Sequence, residues 1–450
     1  GVRYTYQGVL HDDKNSITNF VPSQGFVTPG KDFGPLYRKD WNNFAPRLGF
    51  AWTPTKDSKT VLRGSFGTFF DVPALNFFTA NTGVPNGGAA GVNANPGGAS
   101  PVYSLSVRNV TIQSGVPIFG TASPTPPFGV FAVSQDFTTP YVFNFNVNVQ
   151  HQFSRTTLLQ VGYVGSLGHK LAVLRDINQP VVTNGVAVRP YAAQYPQLAT
   201  INEAESATNS NYHSMQLQLR QSFWKGLSGT FNYTFSHAID NTSDVRNTVP
   251  TNSYSLANER GNSTFDIRHI VTSFVSYEVP TFTSHAPLLT KGWQVNSLFT
   301  FHTGSPFNIL AGTNVSGTGE NRDRVDLIGD PYASVPVLTG TTAVQYFNKA
   351  AFARPAAGTF GNLGRNVLYG PGFGSMDFSV FKKTPITERI STEFRVEIFN
   401  LLNRTNWANP NATFSSASFG QLTSTRNGGS APGLGFGEPR NAQLALKVIF

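Results

Sequence analysis

Tyr141 to Phe153 alternates almost without fault. Its odd positions are Tyr141, Phe143, Phe145, Val147, Val149, His151 and Phe153. Its even positions, Val142 aside, are Asn144, Asn146, Asn148, Gln150 and Gln152. Successive side chains of a strand point to opposite faces, so this period of two describes a strand with one apolar and one wet face. The pattern returns at Met215, Leu217, Leu219 and Phe223 against Ser214, Gln216, Gln218, Arg220 and Ser222. It returns again at Leu227, Phe231, Tyr233 and Phe235 against Ser228, Thr230, Asn232, Thr234 and Ser236. Near the end of the chain, Ala442, Leu444, Leu446, Val448 and Phe450 oppose Asn441, Gln443 and Lys447. No helical period of similar length competes.

The alternating segments are long. Strands of soluble sandwiches run about 5–6 residues, whereas a tilted strand crossing a bilayer needs about 9–11. The wet faces carry amides and hydroxyls more than charge, which suits a water-filled or plugged lumen, and the apolar faces suit lipid. Connection lengths point the same way. Tight turns at Thr53–Lys59, Ser154-Arg155, Trp224-Lys225-Gly226, Pro280–Thr290 and Lys382–Arg389 alternate with long segments at 7–43, 71–139, 165–211, 238–265, 303–372 and 401–440. Barrels of the outer membrane alternate short periplasmic turns with long outer loops in this way. The expected fold is therefore an all-β, antiparallel transmembrane β-barrel with about 12 strands in this chain. A propeller would need a repeat of about 40–50 residues, and none is found.

Composition agrees and excludes other classes. Charged residues are 13% of the 450, about half the share usual in soluble domains. Yet Phe numbers 38, so the chain is no disordered polyampholyte. No apolar run reaches the roughly 18–20 residues of a membrane helix. Cys is absent, which removes disulfides, thiolate metal sites and a Cys nucleophile. The net charge of +9 is spread without a Lys/Arg block, so the footprint of nucleic-acid binding is missing. Aromatics at the strand ends (Phe50, Trp52, Phe69, Phe70, Tyr141, Phe153, Phe223, Trp224 and Trp293) read as interfacial girdles. The chain opens at Gly1 without an initiator Met, and is expected to start inside a strand of a longer protein.

Further segments support a family resemblance. They are Ala45-Pro46-Arg47-Leu48-Gly49-Phe50-Ala51-Trp52, Thr60-Val61-Leu62-Arg63-Gly64, Val161-Gly162-Tyr163-Val164-Gly165-Ser166 and Asn258-Glu259-Arg260-Gly261. Phe265-Asp266-Ile267-Arg268-His269, Gly361-Asn362-Leu363-Gly364-Arg365-Asn366 with Gly370-Pro371-Gly372, and Phe399-Asn400-Leu401-Leu402-Asn403 complete the set. In their order and spacing they resemble the barrel of TonB-dependent outer-membrane receptors, specifically the Oar-like group of Gram-negative bacteria. The resemblance implies that residues 1–450 are the C-terminal portion of one barrel domain of about 22 strands. It implies a plug and an N-terminal regulatory-like domain outside this chain, so that the Tyr4 strand and the 441–450 strand would be open edges here. It further implies residence in outer-membrane lipid, assembly by the barrel assembly machinery with Phe450 as its signal, and coupling to the TonB complex through the plug region. The implied function is uptake of a ligand that the residues do not identify. A surface adhesion or secretion platform without transport is the alternative.

Catalytic patterns are absent: there is no GxSxG elbow, HExxH, Walker A or EF-hand loop, so no enzyme, cofactor or metal site is expected. The Gly433–Gly437 run is not followed by a helical pattern, which argues against a phosphate loop. Asp323, Asp326 and Asp330 read as a local ion-pair cluster with Arg322 and Arg324 rather than a Ca²⁺ site. The Asp266–Arg268 pair with Glu259-Arg260 is expected to knit a loop to the barrel rim. Parity directs Arg47, Arg63, Asn144, Asn146, Asn148, Gln216, Gln218, Arg220, Glu393, Arg395 and Glu397 to the lumen. Glu393, Arg395 and Glu397 fix the inward face of their strand, because a charge near the bilayer midplane costs about 2–4 kcal/mol.

Overall fold

The structure, a computed structural model, describes residues 1–11, 17–72, 127–183, 185–244, 250–281, 286–426 and 439–450. The Gly433–Gly437 run and most of the 71–139 segment lie outside these residues.

Twelve strands form the path of one sheet. They are β1 (Val2–Tyr4), β2 (Phe44–Trp52), β3 (Thr60–Phe70), β4 (Tyr141–Gln152), β5 (Thr157–Asp176), β6 (Leu198–Trp224), β7 (Leu227–Asp240), β8 (His269–Glu278), β9 (Trp293–His302), β10 (Phe373–Pro385), β11 (Ser391–Phe399) and β12 (Asn441–Ile449). Each pairs antiparallel with the next, so spatial order follows chain order throughout. Phe128–Val133, parallel to the upper part of β6, and Gly261–Asn262, beside β7, complete a sheet of 14 strands. Among the described residues β1 and β12 are the two ends of the path and do not pair with each other. No helix among these residues is long and apolar enough to cross a membrane.

The tight turns sit where the sequence puts them, except that β10 runs on through Lys382–Pro385 and leaves 386–390 as its turn. At Lys225-Gly226 both φ angles are positive, 48° and 87°, the conformation of a two-residue hairpin turn whose twist matches its strands. A side chain at Gly226 would also run into the carbonyl oxygen of Glu278.

Register assigns the faces. Residues directly opposite each other share a face, so one line of pairs can be followed across the sheet. On the polar face Ala51 opposes Arg63, Arg63 opposes Asn148, and Asn148 opposes Gly162. Gly162 opposes Gln216, which opposes Thr234; one step along, Gln218 opposes Asn232 and Asn232 opposes Thr272. Thr272 opposes Thr300, and further along β9 Asn296 opposes Ser379, which opposes Glu397, which opposes Gln443. The other face runs through Leu48 and Phe66, Val147 and Tyr163, Met215 and Phe235, Val295 and Val380, then Val396 and Leu444.

Among the described residues nothing covers that apolar face. Leu48 is 68% exposed, Leu444 70% and Leu446 69%, values that describe a surface awaiting another apolar phase. From Trp293 to Phe301 on β9 it spans about 26 Å of strand, or about 20 Å in height at a tilt of ~40°, close to an outer-membrane apolar band. Two glycines make room on it for rings from the neighbouring strand. Phe50 lies over its cross-strand partner Gly64, and Phe145 over Gly165, so a side chain at either glycine would collide with the ring. Phe69 departs from the girdle expectation. It shares the polar face with Arg47, whose guanidinium lies 4.5 Å from its ring centroid.

The buried hydrophobic clusters are elsewhere. β5 and β6 run to 20 and 27 residues, well past the length a bilayer needs, and much of the expected 165–211 loop is their upper extension. Against that extension pack Leu36, Phe20, Val130 and Phe137, closing on Leu174, Leu198, Ile201 and Ala204. A third cluster, with Ile309, Val325, Phe347, Phe352 and Phe419 at its heart, is built wholly from residues 307–419. The described parts of the long connections thus form a packed crown at one end of the sheet. Alternation fails in the extensions because the crown buries both faces there.

The face assignment is open to direct test, since the chain has no thiol of its own. In membranes a lipid-soluble maleimide is expected to label Phe394→Cys and spare Arg395→Cys. The reverse pattern would invert the register across β10–β12.

Candidate functional site

Two regions concentrate polar chemistry: the wet face of the wall, and the rim where the crown meets it. On the wall, several polar side chains bond to partners on the neighbouring strand. Arg63 donates to Gln150, and Asn146 to Ser65. Gln218 donates to Asn232 at 2.9 Å and Asn232 to Thr272 at 3.3 Å. Gln294 donates to Ser276 at 2.7 Å, and Asn296 to Ser379 at 3.3 Å. Glu393 pairs with Arg395, whose guanidinium lies 4.7 Å from the Phe381 ring centroid. Lys383 and Lys447 stand opposite Glu393 on the two adjacent strands, so charge alternates across β10, β11 and β12.

All eleven wall residues that parity directs to the lumen, Arg47, Arg63, Asn146, Arg220, Glu393, Arg395 and Glu397 among them, lie on this one face. They do not form one cluster. Glu393, Arg395 and Glu397 sit together, Arg63 and Asn146 share β3–β4, Arg47 stacks on Phe69, and Arg220 is exposed between Leu158 and Thr230. Phe450 follows β12 and is 91% exposed.

At the rim, sequence segments a hundred residues apart are each other's partners. Arg365 donates from Nε to the carbonyl oxygen of Glu259 at 2.6 Å and from Nη2 to that of Asp240 at 2.6 Å, and pairs with the Asp240 carboxylate. Asn366 and Asn262 exchange amide bonds to each other's backbone carbonyls, at 2.6 and 2.8 Å. Gly261 lies against the Arg365 carbonyl so closely that a side chain there has no room. Asp266, buried, accepts from the Ala238 amide at 2.7 Å and the Tyr369 hydroxyl at 2.9 Å, and pairs with Arg268 at 3.1 Å. The expected knitting of loop to rim is therefore present. His269 stands instead on the apolar face opposite Phe235, with its Nδ1 2.9 Å from the Tyr233 hydroxyl.

The expected local ion-pair cluster at 320–330 is not what forms. Arg324 reaches back 65 residues to Glu259 at 3.2 Å, both buried, and donates to the Leu363 carbonyl at 2.9 Å. Asp323 instead accepts the Val315 and Ser316 amides at 2.6 and 2.8 Å, while Asp326 and Asp330 accept those of Asn362 and Tyr332. Asp323 takes both amides on Oδ2, and Asp326 and Asp330 each take one on Oδ1. Among the described residues no group of three or more His, Asp or Glu could hold a metal ion.

The comparisons with known proteins fit this geometry. Residues 1–443 match the family profile described as the outer membrane beta barrel domain. The chain belongs to that family. It is an outer-membrane β-barrel protein, and its apolar face is the lipid face. Similar solved structures include the outer membrane transporter YddB of Escherichia coli (TM-score 0.46, 9% identity, covering 92% of this chain and 41% of that one). The FrpB iron transporter of Neisseria meningitidis gives 0.42 at 10% identity, covering 90% and 39%, and Pseudomonas aeruginosa FpvA bound to heterologous pyoverdine gives 0.44 at 9%, covering 92% and 34%. The barrel chain thus spans about two fifths of the length of YddB. No curated protein matches it significantly.

Within the crown of this barrel, one acidic side chain escaped the sequence reading. Glu320 packs beside buried Asp176, with Gln179, Arg189 and Arg322 as further neighbours. Burial, with the Asp176 charge adding to it, pushes the Glu320 carboxyl up to about 7. Nothing periodic marks this position, because its environment comes from two loops meeting. An acid whose pKa is raised by folding binds more protons folded than unfolded between its two pKa values. Its contribution is thus largest below about 4.5, the unfolded value, and is lost as pH rises toward 7. Amides of 313–322 should be better protected from hydrogen exchange at pH 5 than at pH 8, after correction for intrinsic rates. Glu320→Gln should flatten that difference and raise protection at pH 8.

Proposed function

We propose that this barrel is the outer-membrane part of an energy-coupled uptake receptor. The observation that carries the reading is the division of the molecule into two unlike ends. The crown buries three hydrophobic clusters and ties its loops to the rim with arginine-centred knots, while the opposite end has tight turns. A simple pore gains nothing from so much folded protein above the wall. A receptor needs a firm outer surface on which a ligand is recognised. The rim motifs that resemble the TonB-dependent receptors, Asn258–Gly261 and Gly361–Asn366, are the residues that build the knots.

In this reading the polar face lines the lumen, and Arg47, Arg63, Asn146, Arg220, Glu393, Arg395 and Glu397 line the path or contact a plug. Further strands pair with β1 and β12, since open edges in lipid are costly. The plug region joins the TonB complex, and Phe450 is read by the barrel assembly machinery.

Two outcomes test the proposal. Cells lacking the protein should lose growth on a nutrient whose use also requires TonB. Growth unchanged on all candidate nutrients, with altered surface adhesion, would favour the platform reading instead. Deletion of Phe450 should lower the yield of heat-modifiable barrel in outer membranes; an unchanged yield removes it as an assembly signal.

A further inference from the structure

Lys382 is a charge on the lipid face. Its cross-strand partners are Trp293 on β9 and Phe394 on β11, and Phe394 opposes Leu446. A lysine is tolerated on that face near a strand end, because the cost of a lipid-facing charge falls toward the interface. Trp293 marks that depth, being the first residue of β9, where the wall passes into the connection 279–292. The Lys382 ammonium lies 5.6 Å from the Trp293 ring centroid and donates to the carbonyl oxygen of Lys291. An ammonium has three N–H groups, and among the described residues no second acceptor takes one from Lys382. Nor does a carboxylate pair with Lys382 or Lys291 among these residues. Glu278 opposes Gln294 and Glu393 opposes Lys383, which puts both acids on the polar face. Residues 282–285, outside the described ones, read Phe282-Thr283-Ser284-His285 and add no acid. The other segments outside the described residues belong to the long connections, which join the opposite ends of the strands. In the 279–292 connection Lys291 is an exposed second cation, and Leu288 and Leu289 form an exposed apolar edge. The Trp293 indole N–H donates to the Leu289 carbonyl at 2.6 Å and ties that edge to the wall.

We propose that this end of β9 and β10 binds the phosphate of an anionic glycerophospholipid, of the phosphatidylglycerol type, in the periplasmic leaflet. Short turns of outer-membrane barrels face the periplasm, and the leaflet there is made of glycerophospholipid. Lys382 and Lys291 take the phosphate by charge-assisted hydrogen bonds. Trp293 sits at the level of the glycerol, and the acyl chains lie along Val295, Val380 and Val396. A zwitterionic headgroup would bring its own ammonium against two lysines, with no paired acid to receive it. A soluble phosphate would have the lysines alone, in water, where an exposed ion pair is weak. The site recognises lipid, and it stands whether or not the barrel transports anything.

Lys383 supplies the matched control, since it carries the same charge one residue away on the polar face, opposite Glu393. The full-length protein in detergent micelles would be titrated with dioleoyl phosphatidylglycerol, dioleoyl phosphatidylethanolamine and glycerol 3-phosphate, bound molecules being counted by native mass spectrometry. The first phosphatidylglycerol is expected to bind at least about tenfold tighter than the first phosphatidylethanolamine, and glycerol 3-phosphate not to bind. Lys382→Gln combined with Lys291→Gln should bring the two lipids to equal affinity while heat-modifiable migration is kept. Lys291→Gln alone, at its exposed turn position, should lower the preference at least about threefold. Were the double variant to lose that migration, this single variant would decide. Lys382→Arg should keep the preference, and Lys383→Gln should leave it unchanged. Equal affinity for the two lipids in the unaltered protein, or a preference that survives the substitutions at 291 and 382, would overturn the proposal. So would a preference lost equally in Lys383→Gln, which would make it an effect of net charge. Glycerol 3-phosphate that binds saturably and displaces the lipid would overturn it as well, by making the site one for soluble phosphate.

Discussion

Everything in this molecule depends on the register of one antiparallel ladder. In a bilayer the backbone has no water to bond to, so each N–H and C=O must find its partner in the next strand. A slip by one residue would keep those bonds and ruin the protein, because every side chain would change face. Glu393, Arg395 and Glu397 would then meet lipid while Phe394, Val396 and Ile398 met water. The opposition of Arg63 to Asn148 and of Phe394 to Leu446 is therefore the same statement made at two places on the wall.

The wall holds its register with modest means. Amide and hydroxyl side chains bond across strands in pairs, and few charges are involved. Each such bond adds about 1 kcal/mol, but each also requires its partner strand at one particular offset. On the lipid face, where dispersion between protein and acyl chains is nearly indifferent to register, Phe50 over Gly64 and Phe145 over Gly165 give shape where chemistry gives none. The paired glycine and ring set the offset by volume.

The wall was legible in the sequence because its physics has a period. Lipid on one side and water on the other write themselves into alternate residues, and Tyr141 to Gln152, Leu227 to Phe235 and Trp293 to His302 read out with little error. The crown has no period. Leu198, Ile201 and Ala204 are buried where alternation would make some of them face water, so the upper half of β6 read as loop. Phe69 was misplaced because nearness to a strand end outweighed its parity with Gly67. The partner of Arg324 was missed because the nearest acids in sequence, Asp323 and Asp326, were already taken by backbone amides. Motif resemblance marked the 258–261 and 361–366 segments without revealing that they face each other across the rim.

That knot has a mechanical meaning. Arg365 grips the end of β7 and the 257–261 turn together, while Arg324, from the same 303–372 connection, grips that turn at a second point. Two connections therefore share two guanidinium groups, and neither can swing without breaking a buried charge pair. Such a cap moves as a block or hardly at all. In the receptor proposed above, variation in what is bound would be confined to the loop tips beyond the knot, where residues can change while the frame that presents them stays fixed.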